Sequence, residues 1–222
     1  HWDLWEFKTN NKLLLPSQEN LFGDSSLRLE RPPVESGARG PVIVQLAGHN
    51  VETVVKAAER VLVASEGQIA GIDLNCGCPQ AIARKGRYGA FLMEDDSDVV
   101  YQILRALRQT LPVTVAVSAK VRLPLYVADQ TERIQRLCDT GINFLTVHGR
   151  DLTENKTTVG GVHIDRLRDA VATAADFGVP VIANGGVEFR SDVNTIRQQT
   201  GAAAVMSSEA LLERPYLFEQ DV

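Results

Sequence analysis

The chain has 222 residues, of which 44% are hydrophobic and 23% are charged, a composition typical of a folded globular protein. It contains no run of the roughly 18 apolar residues that a membrane-spanning helix needs, and its first ten residues lack a secretory signal pattern. The net charge of −5 disfavours a surface coated for nucleic acid, so any such contact would depend on a local basic patch.

The cysteine pattern indicates a reducing compartment. The chain has three cysteines, an odd number, and Cys76 and Cys78 are separated by a single glycine. This argues against a disulfide framework and predicts an intracellular protein of the cytoplasm or nucleus. The Cys-x-Cys pair has no second pair and no nearby histidine, so we predict no metal site. No feature of the sequence sets an oligomeric state.

The chain divides into an irregular and a regular part. Residues 1–40 combine large apolar residues near the start with a loop rich in Pro and Gly. We expect this segment to contain a remnant of the early part of the fold. Residues 41–222 alternate regularly between apolar runs and amphipathic stretches, and we predict that they form the repeating units of one domain.

Six apolar runs predict strands, at 42–46, 69–74, 113–121, 144–147, 181–183 and 203–206. The stretches between them predict helices, with Asn50 and Ser191 as two of the N-caps. Gly141, Gly178 and Gly201 close three consecutive helices shortly before the next strand. Because most runs are continuously apolar, we expect a parallel sheet that is buried on both faces.

Polar residues follow or end every predicted strand: Gln45, Asn75 with Cys78, Lys120 with Arg122, His148 with Arg150, Asn184 and Ser208. An open doubly wound sheet concentrates its ligand at one switch point, whereas a barrel gathers all strand ends around one centre. The pattern therefore predicts a TIM (β/α)8 barrel of the α/β class. Six strands are three quarters of such a barrel, so it is expected to be incomplete at the N-terminus.

The turn at residues 75–79 carries the clearest candidate for chemistry. Gly77 and Pro79 predict a stiff turn at a strand end, with the Cys78 thiol facing the other strand ends. Such a thiol suits a proton donor or a nucleophile. The alternative is an inert buried thiol, which we expect for Cys138 because its helical spacing places it in the core.

Two further features suggest ligand binding. Lys120 lies in an apolar run and needs a partner, which is either a structural carboxylate or a cofactor or base carbonyl, and His148 is expected in the same layer one strand along. The strands ending at Asn184-Gly185-Gly186 and before Ser208-Glu209 lie where barrels bind phosphate. Otherwise these glycines simply permit tight turns.

Five motifs carry a resemblance to a known family: DLNCGCPQAIARKGRYGAFL at 73–92, AKVR at 119–122, TVHGR at 146–150, NGGV at 184–187 and VMSSEALL at 205–212. They closely resemble the tRNA-dihydrouridine synthases, most of all the eukaryotic branch that modifies the D arm. The resemblance implies a TIM barrel that uses FMN, with NADPH as reductant, to convert uridine in tRNA into 5,6-dihydrouridine.

The resemblance also implies site residues. Cys78 would be the general acid, and Asn75 and Arg122 would bind the uracil. Arg84 and Lys85 could hold the RNA backbone, or simply form a solvated loop. The cofactor contacts would be Gln45, Lys120, His148, Asn184, Gly185, Gly186, Ser208 and Glu209.

Several positions depart from the family pattern. Cys76 stands where an apolar residue is expected, Asp151 replaces a threonine, and Glu209 replaces the arginine that holds phosphate in bacterial members. The family's first strand and its C-terminal helical tRNA-binding domain are not recognisable, so we expect a fragment. Two alternatives stay open: an FMN barrel acting on a free pyrimidine, as in dihydroorotate dehydrogenases, and a non-catalytic flavin- or RNA-binding fragment.

Overall fold

The structure is a computed structural model that describes residues 42–154 and 161–218. The predicted N-terminal segment, residues 1–40, lies outside the described residues. Within the described part, strands and helices alternate along the chain.

The strands are β1 (Ile43–Leu46), β2 (Gly71–Cys76), β3 (Ala116–Arg122), β4 (Phe144–His148), β5 (Val181–Asn184) and β6 (Ala204–Met206). The helices are α1 (Val51–Ala64), α2 (Ala81–Lys85), α3 (Ala90–Asp95), α4 (Ser97–Thr110), α5 (Gln130–Cys138), α6 (Ile164–Ala175), α7 (Arg190–Thr200) and α8 (Glu209–Glu213). A 3-10 turn (Val127–Asp129) precedes α5.

All described strands pair in parallel in the order β1-β2-β3-β4-β5-β6, which is also their order in the sequence. A parallel sheet in chain order, with a helix in each connection, is the arrangement of consecutive units of a TIM barrel. All carboxyl ends of the strands therefore lie on one rim of the sheet.

The two faces of the sheet differ in polarity, which the expectation of a parallel sheet buried on both faces did not include. In β2, Ile72, Leu74 and Cys76 are at most 1% exposed and belong to the core that also contains the apolar face of α4. Asp73 and Asn75 alternate with them and therefore point to the opposite face. Polar residues alternate in the same way along β3. The face away from the helices thus carries the polar and charged side chains.

The largest shifts in the predicted boundaries are in β2 and β3. β2 runs on to Cys76, so Asn75 belongs to the strand and the turn begins at Gly77, because ladder pairing to β3 continues to the end of β2. β3 begins at Ala116, three residues later than predicted.

The caps are partly as predicted. Asn50 caps α1, and its side chain accepts the N–H of Thr53 at 2.9 Å. Ser191 is not the cap of α7, which begins at Arg190. The carboxylate of Asp192 instead accepts the backbone N–H groups of Glu188 and Phe189, at 2.9 and 2.8 Å. A carboxylate at the third helical position that accepts the N–H of the N-cap residue supplies one of the two hydrogen bonds of a capping box.

Candidate active site

The register of the sheet brings the predicted residues together at the carboxyl rim. Asn75 lies opposite Lys120, Arg122 lies opposite His148, and His148 lies opposite Asn184. Paired residues of adjacent parallel strands point to the same face. All five therefore lie on the polar face, at the end where a barrel holds its active site.

The loop that carries Cys78 is held from three sides. The side-chain Oδ1 of Asn75 accepts the backbone N–H of Gly77 at 3.2 Å and that of Cys78 at 3.1 Å. Arg122 donates from Nε to the carbonyl of Gly77 at 2.9 Å. The backbone N–H of Ala90 donates to the carbonyl of Cys78 at 3.1 Å. Three different elements thus fix the position of the Cys78 backbone.

The chain returns to this loop through Tyr88 and Gly89, which the sequence did not single out. Gly89 has φ of +70°, and a Cβ there would lie 2.7 Å from the carbonyl oxygen of Cys78 and 3.0 Å from its Cβ. Burial, together with the charge of a Cys78 thiolate, raises the pKa of Tyr88. Tyr88 and Gly89 therefore form part of the wall around the thiol.

The three cysteines have different environments, and all are free thiols. Cys76 is 1% exposed among core side chains, and burial raises its pKa far above the usual value. Cys138 lies in the core as predicted, and burial raises its pKa to about 11. Cys78 is half-buried and lies on the rim. It is the accessible thiol of the three.

A buried carboxylate lies beneath the rim, and sequence reasoning gave it no role. Asp73 accepts a hydrogen bond from Ser118 Oγ to Oδ1 at 2.6 Å and one from Gln45 Nε2 to Oδ2 at 2.7 Å. Burial raises the pKa of Asp73, while these hydrogen bonds and the charge of Lys120 lower it. The available signal was an aspartate inside an otherwise apolar strand, which must have partners when buried.

Gln45 connects this carboxylate to the Cys78 loop. Its Oε1 accepts from Asn75 Nδ2 at 3.0 Å, while its Nε2 donates to Asp73. Gln45 therefore uses its oxygen and one N–H on protein groups. Its predicted contact to a cofactor is left with the second hydrogen of Nε2 and the second lone pair of Oε1.

His148 is surrounded by cations. Burial first, then the charges of Lys120, Arg122 and Arg150, lower its pKa to about 3. The imidazole is therefore neutral near pH 7 and can donate or accept a hydrogen bond. The register corrects one detail: Lys120 lies opposite Thr146, so His148 is one pleat further along than the predicted shared layer.

Arg122 joins two loops. Besides Gly77, it donates from Nη1 to the backbone carbonyls of Asp151, at 2.7 Å, and Glu154, at 3.2 Å. Burial, and then the charge of Arg150, lowers its pKa, whereas a charged Cys78 raises it. The described hydrogen bonds give Arg122 a role in fixing the loops after β2 and β4. Its contact with uracil stays a prediction.

At the predicted phosphate end, the structure gives Asn184 and Gly185 structural roles. The Nδ2 of Asn184 donates to the carbonyl of Met206 at 2.9 Å and ties β5 to β6. Gly185 has φ of +96°, and a Cβ there would lie 2.8 Å from the His148 ring. Gly185 is therefore needed for the close approach of the imidazole. Ser208 precedes α8 and makes no side-chain cap hydrogen bond.

The predicted RNA contacts lie on α2, directly after the Cys78 loop. Arg84, Lys85 and Arg87 are exposed, and Ile82 beside them is 60% exposed. The Arg84 guanidinium lies 5.4 Å from the ring centroid of Phe91. These cations form a small basic surface on and just after α2, in the segment that follows the Cys78 loop.

The described part of the chain contains neither a membrane span nor a metal cluster. No helix in residues 42–154 and 161–218 is long and apolar enough to cross a membrane. In the same two ranges, no group of three or more His, Cys, Asp and Glu side chains is arranged to hold a metal ion.

Fold and site together define a TIM-barrel protein with an accessible thiol, cations and a neutral imidazole at the carboxyl rim. A solved structure, DHODH of Eimeria tenella in complex with ferulenol, matches 73% of this chain and 50% of its own with a TM-score of 0.53. At 14% identity this shows the fold alone, and it supports the predicted barrel class. A family model described as dihydrouridine synthase (Dus) matches residues 16–222. The chain belongs to the dihydrouridine synthase family.

Curated relatives agree with this assignment. A tRNA-dihydrouridine(16/17) synthase-like protein of Rattus norvegicus is 38% identical over 183 residues, which are 81% of this chain and 39% of the relative. Two proteins of Saccharomyces cerevisiae follow. The tRNA-dihydrouridine(16/17) synthase is 34% identical over 80% of this chain and 40% of the relative, and the tRNA-dihydrouridine(20a/20b) synthase is 31% identical over 80% and 47%. The resemblance stated from the motifs is confirmed. The chain spans between two fifths and one half of these relatives.

Proposed function

We propose that this chain provides the catalytic part of a tRNA-dihydrouridine synthase, which reduces uridine in tRNA to 5,6-dihydrouridine with FMN as cofactor and NADPH as reductant. One observation carries the proposal: the sheet register and the Asn75 hydrogen bonds place Cys78 on the same rim as Lys120, Arg122 and His148. The names of the relatives support it. Residues 41–222 would form the flavin-binding part.

The donor set on the rim fits a flavin with a phosphate tail. Lys120 and a neutral His148 offer a cation and an uncharged hydrogen-bonding ring, and the cations around His148 favour a ligand that carries negative charge. When bound, FMN would supply the hydride for C6 of the uracil. The remaining contacts proposed for it are Gln45, Asn184, Gly185, Gly186, Ser208 and Glu209, the last two through backbone N–H groups.

The chain's own residues would prepare the uracil and supply the proton. Lys120 and Asn75 lie side by side and would polarise the uracil carbonyls. C6 could then accept one hydride, and the negative charge would move towards C5 and O4. The Cys78 thiol then gives its proton to C5, which completes the loss of the C5=C6 double bond. The resulting thiolate would regain a proton from solvent.

Access to the base requires contact with RNA outside the site. A uridine must leave its stack to reach the rim, as with other enzymes that act on bases. Arg84 and Lys85, exposed on α2 next to the Cys78 loop, would hold the flanking phosphates. A tRNA substrate would require an intracellular protein, and we propose the cytoplasm or nucleus.

The test replaces the thiol. Cys78→Ala should retain flavin absorbance yet form dihydrouridine on unmodified tRNA at least about 100-fold more slowly, because a positioned general acid contributes on that scale. Cys138→Ala removes a core thiol away from the rim and is the matched control, expected to stay active. Full activity of Cys78→Ala refutes the assignment of the acid. Turnover of a free pyrimidine without tRNA would instead support an enzyme acting on small substrates.

A further inference from the structure

We propose that Asp73 is a positioning residue that, acting through Gln45 and Asn75, fixes the loop that carries Cys78. The observation is a continuous hydrogen-bonded chain across three strands. It runs from Ser118 to Asp73, then to Gln45, then to Asn75, and ends on the backbone N–H groups of the Cys78 loop.

The direction of this chain is forced at the loop end. The backbone N–H groups of Gly77 and Cys78 can only donate, so the Asn75 atom that faces them must be Oδ1. Nδ2 of Asn75 therefore faces Gln45, whose Oε1 must accept. The Nε2 group of Gln45 then points at residue 73 and needs an acceptor there.

A carboxylate at position 73 supplies that acceptor whichever way it is turned, because both of its oxygens accept. Asp73 thereby excludes the flipped orientation of Gln45, which would bring two acceptors together. It also excludes the flipped Asn75, which would turn Nδ2 toward two N–H groups. The side chain is 6% exposed, so water cannot readily replace a lost partner.

Asp73 does not contact Cys78 and acts through two amides. The use of the positioned loop in uridine reduction rests on the function proposed above, whereas the positioning itself does not. The experiment therefore measures the loop in the full chain without RNA and without activity. Its readout is amide hydrogen exchange of the peptide around Cys78, followed by mass spectrometry.

Single variants should release the loop. Asp73→Asn can keep its oxygen for the Ser118 hydroxyl only by turning Nδ2 toward Gln45, which favours the flipped amides and sets donor against donor at the loop. In the opposite orientation Nδ2 faces Ser118 Oγ, and the serine hydroxyl hydrogen loses its acceptor. Asn75→Asp places a carboxylate on each side of Gln45. Gln45 has one NH2 group, so its oxygen must face one of the two carboxylates. Each change should speed exchange at the Cys78 amide about tenfold, because it leaves two like groups facing each other in the hydrogen-bonded chain and so favours opening of the loop.

The double variant Asp73→Asn with Asn75→Asp reverses the chain and satisfies every partner again. The amide introduced at position 73 would donate to Gln45 Oε1, and Gln45 Nε2 would donate to the carboxylate introduced at position 75. The other oxygen of that carboxylate would accept the two loop N–H groups. Exchange should return to within about twofold of the wild-type rate, because each hydrogen bond is restored. A merely structural aspartate gives no such rescue.

The control is Ser118→Ala, which removes one hydrogen bond to the same carboxylate but leaves the direction of the chain intact. It should change exchange at the Cys78 amide by less than about twofold, because no loop hydrogen bond is lost. The inference is overturned by wild-type exchange in Asp73→Asn, by a double variant that exchanges as fast as the single variants or fails to fold, or by an equal effect of Ser118→Ala. If the single variants fail to fold and the double variant folds with a protected loop, the inference stands.

Discussion

A methyl group added at Gly89 should displace the loop that carries Cys78. Gly89 has φ of +70° and ψ of −141°, a region that is essentially restricted to glycine. A Cβ there would lie 2.7 Å from the carbonyl oxygen of Cys78 and 3.0 Å from its Cβ. The carbonyl oxygen belongs to a backbone that Asn75 and Arg122 hold in place, and the Cβ is bonded directly to that backbone, so neither atom can move away cheaply.

The expected magnitude has two parts. Holding an alanine in this region of backbone space costs about 1–3 kcal/mol. Forcing a methyl group into a packed contact adds about 1–3 kcal/mol. Gly89→Ala should therefore lower the free energy of unfolding by about 2–6 kcal/mol, unless the loop moves instead and relieves the contact.

Gly201 provides the matched control, because it shares the sign of φ without the contact. It closes α7 with φ of 75° and ψ of 8°, and a Cβ there would meet its nearest neighbour, Val171, at an ordinary 3.7 Å. Gly201→Ala should cost about 1–2 kcal/mol, the backbone part alone. Urea unfolding of both variants measures the difference, and alkylation of Cys78 reports on the loop. Equal losses of stability, with unchanged alkylation of Cys78, would refute the reasoning.

Three further predictions concern charge. His148 has a pKa of about 3 in the folded protein and an ordinary pKa of about 6.5 in the unfolded chain. Between about pH 6.5 and 3 the imidazole therefore binds a proton only in the unfolded chain, and the folded state loses stability as the pH falls through this window. His148→Gln should therefore remove about 3 kcal/mol of the decline in unfolding free energy between pH 7 and 4, and an unchanged decline would contradict the shift. The Arg133–Glu94 ion pair has an N–O distance of 2.5 Å, and its side chains are 12% and 14% exposed. Arg133→Met should lower the free energy of unfolding, measured with urea, by about 3 kcal/mol, because it leaves a buried carboxylate without its partner. Adding Glu94→Leu should restore most of this loss. If Lys85 contacts RNA, the fall of log affinity for tRNA with log salt should be shallower by roughly one unit in Lys85→Ala, and an equal slope would remove this contact.

The sequence predicted the order and type of the elements because those depend on local signals. Gly141, Gly178 and Gly201 all adopt positive φ, as expected for residues that close helices, and Asn50 forms the predicted cap. The residues named on the rim also follow from local rules, since the carboxyl ends of parallel strands meet at one edge. The boundaries moved by one to three residues because strand ends depend on ladder pairing with a neighbour, which no local pattern contains.

The two faces of the sheet were not predicted, for a different reason. In the run from Val113 to Val121, small residues mask the alternation, because Ala119 and Ser118 are both compatible with a buried strand. The structure separates them by face: Ala119 lies in the core with the helices, and Ser118 donates to Asp73 on the polar face. The period of two becomes visible only when the partners of each side chain are known.

The same limit explains why sequence reasoning identified Cys78 but not what holds it. The thiol, the turn and the proline are adjacent in sequence, so the loop could be predicted locally. The groups that fix it are distant: Arg122 bonds the carbonyl of Gly77 from 45 positions away, and Gln45 reaches Asn75 across 30 positions. These contacts exist because three strands pair in one register, and a slip by one residue would turn each polar side chain to the core face. The position of the thiol is therefore a property of the β1–β2–β3 register, and substitutions that preserve the loop sequence but disturb that register should move Cys78 as surely as changes in the loop itself.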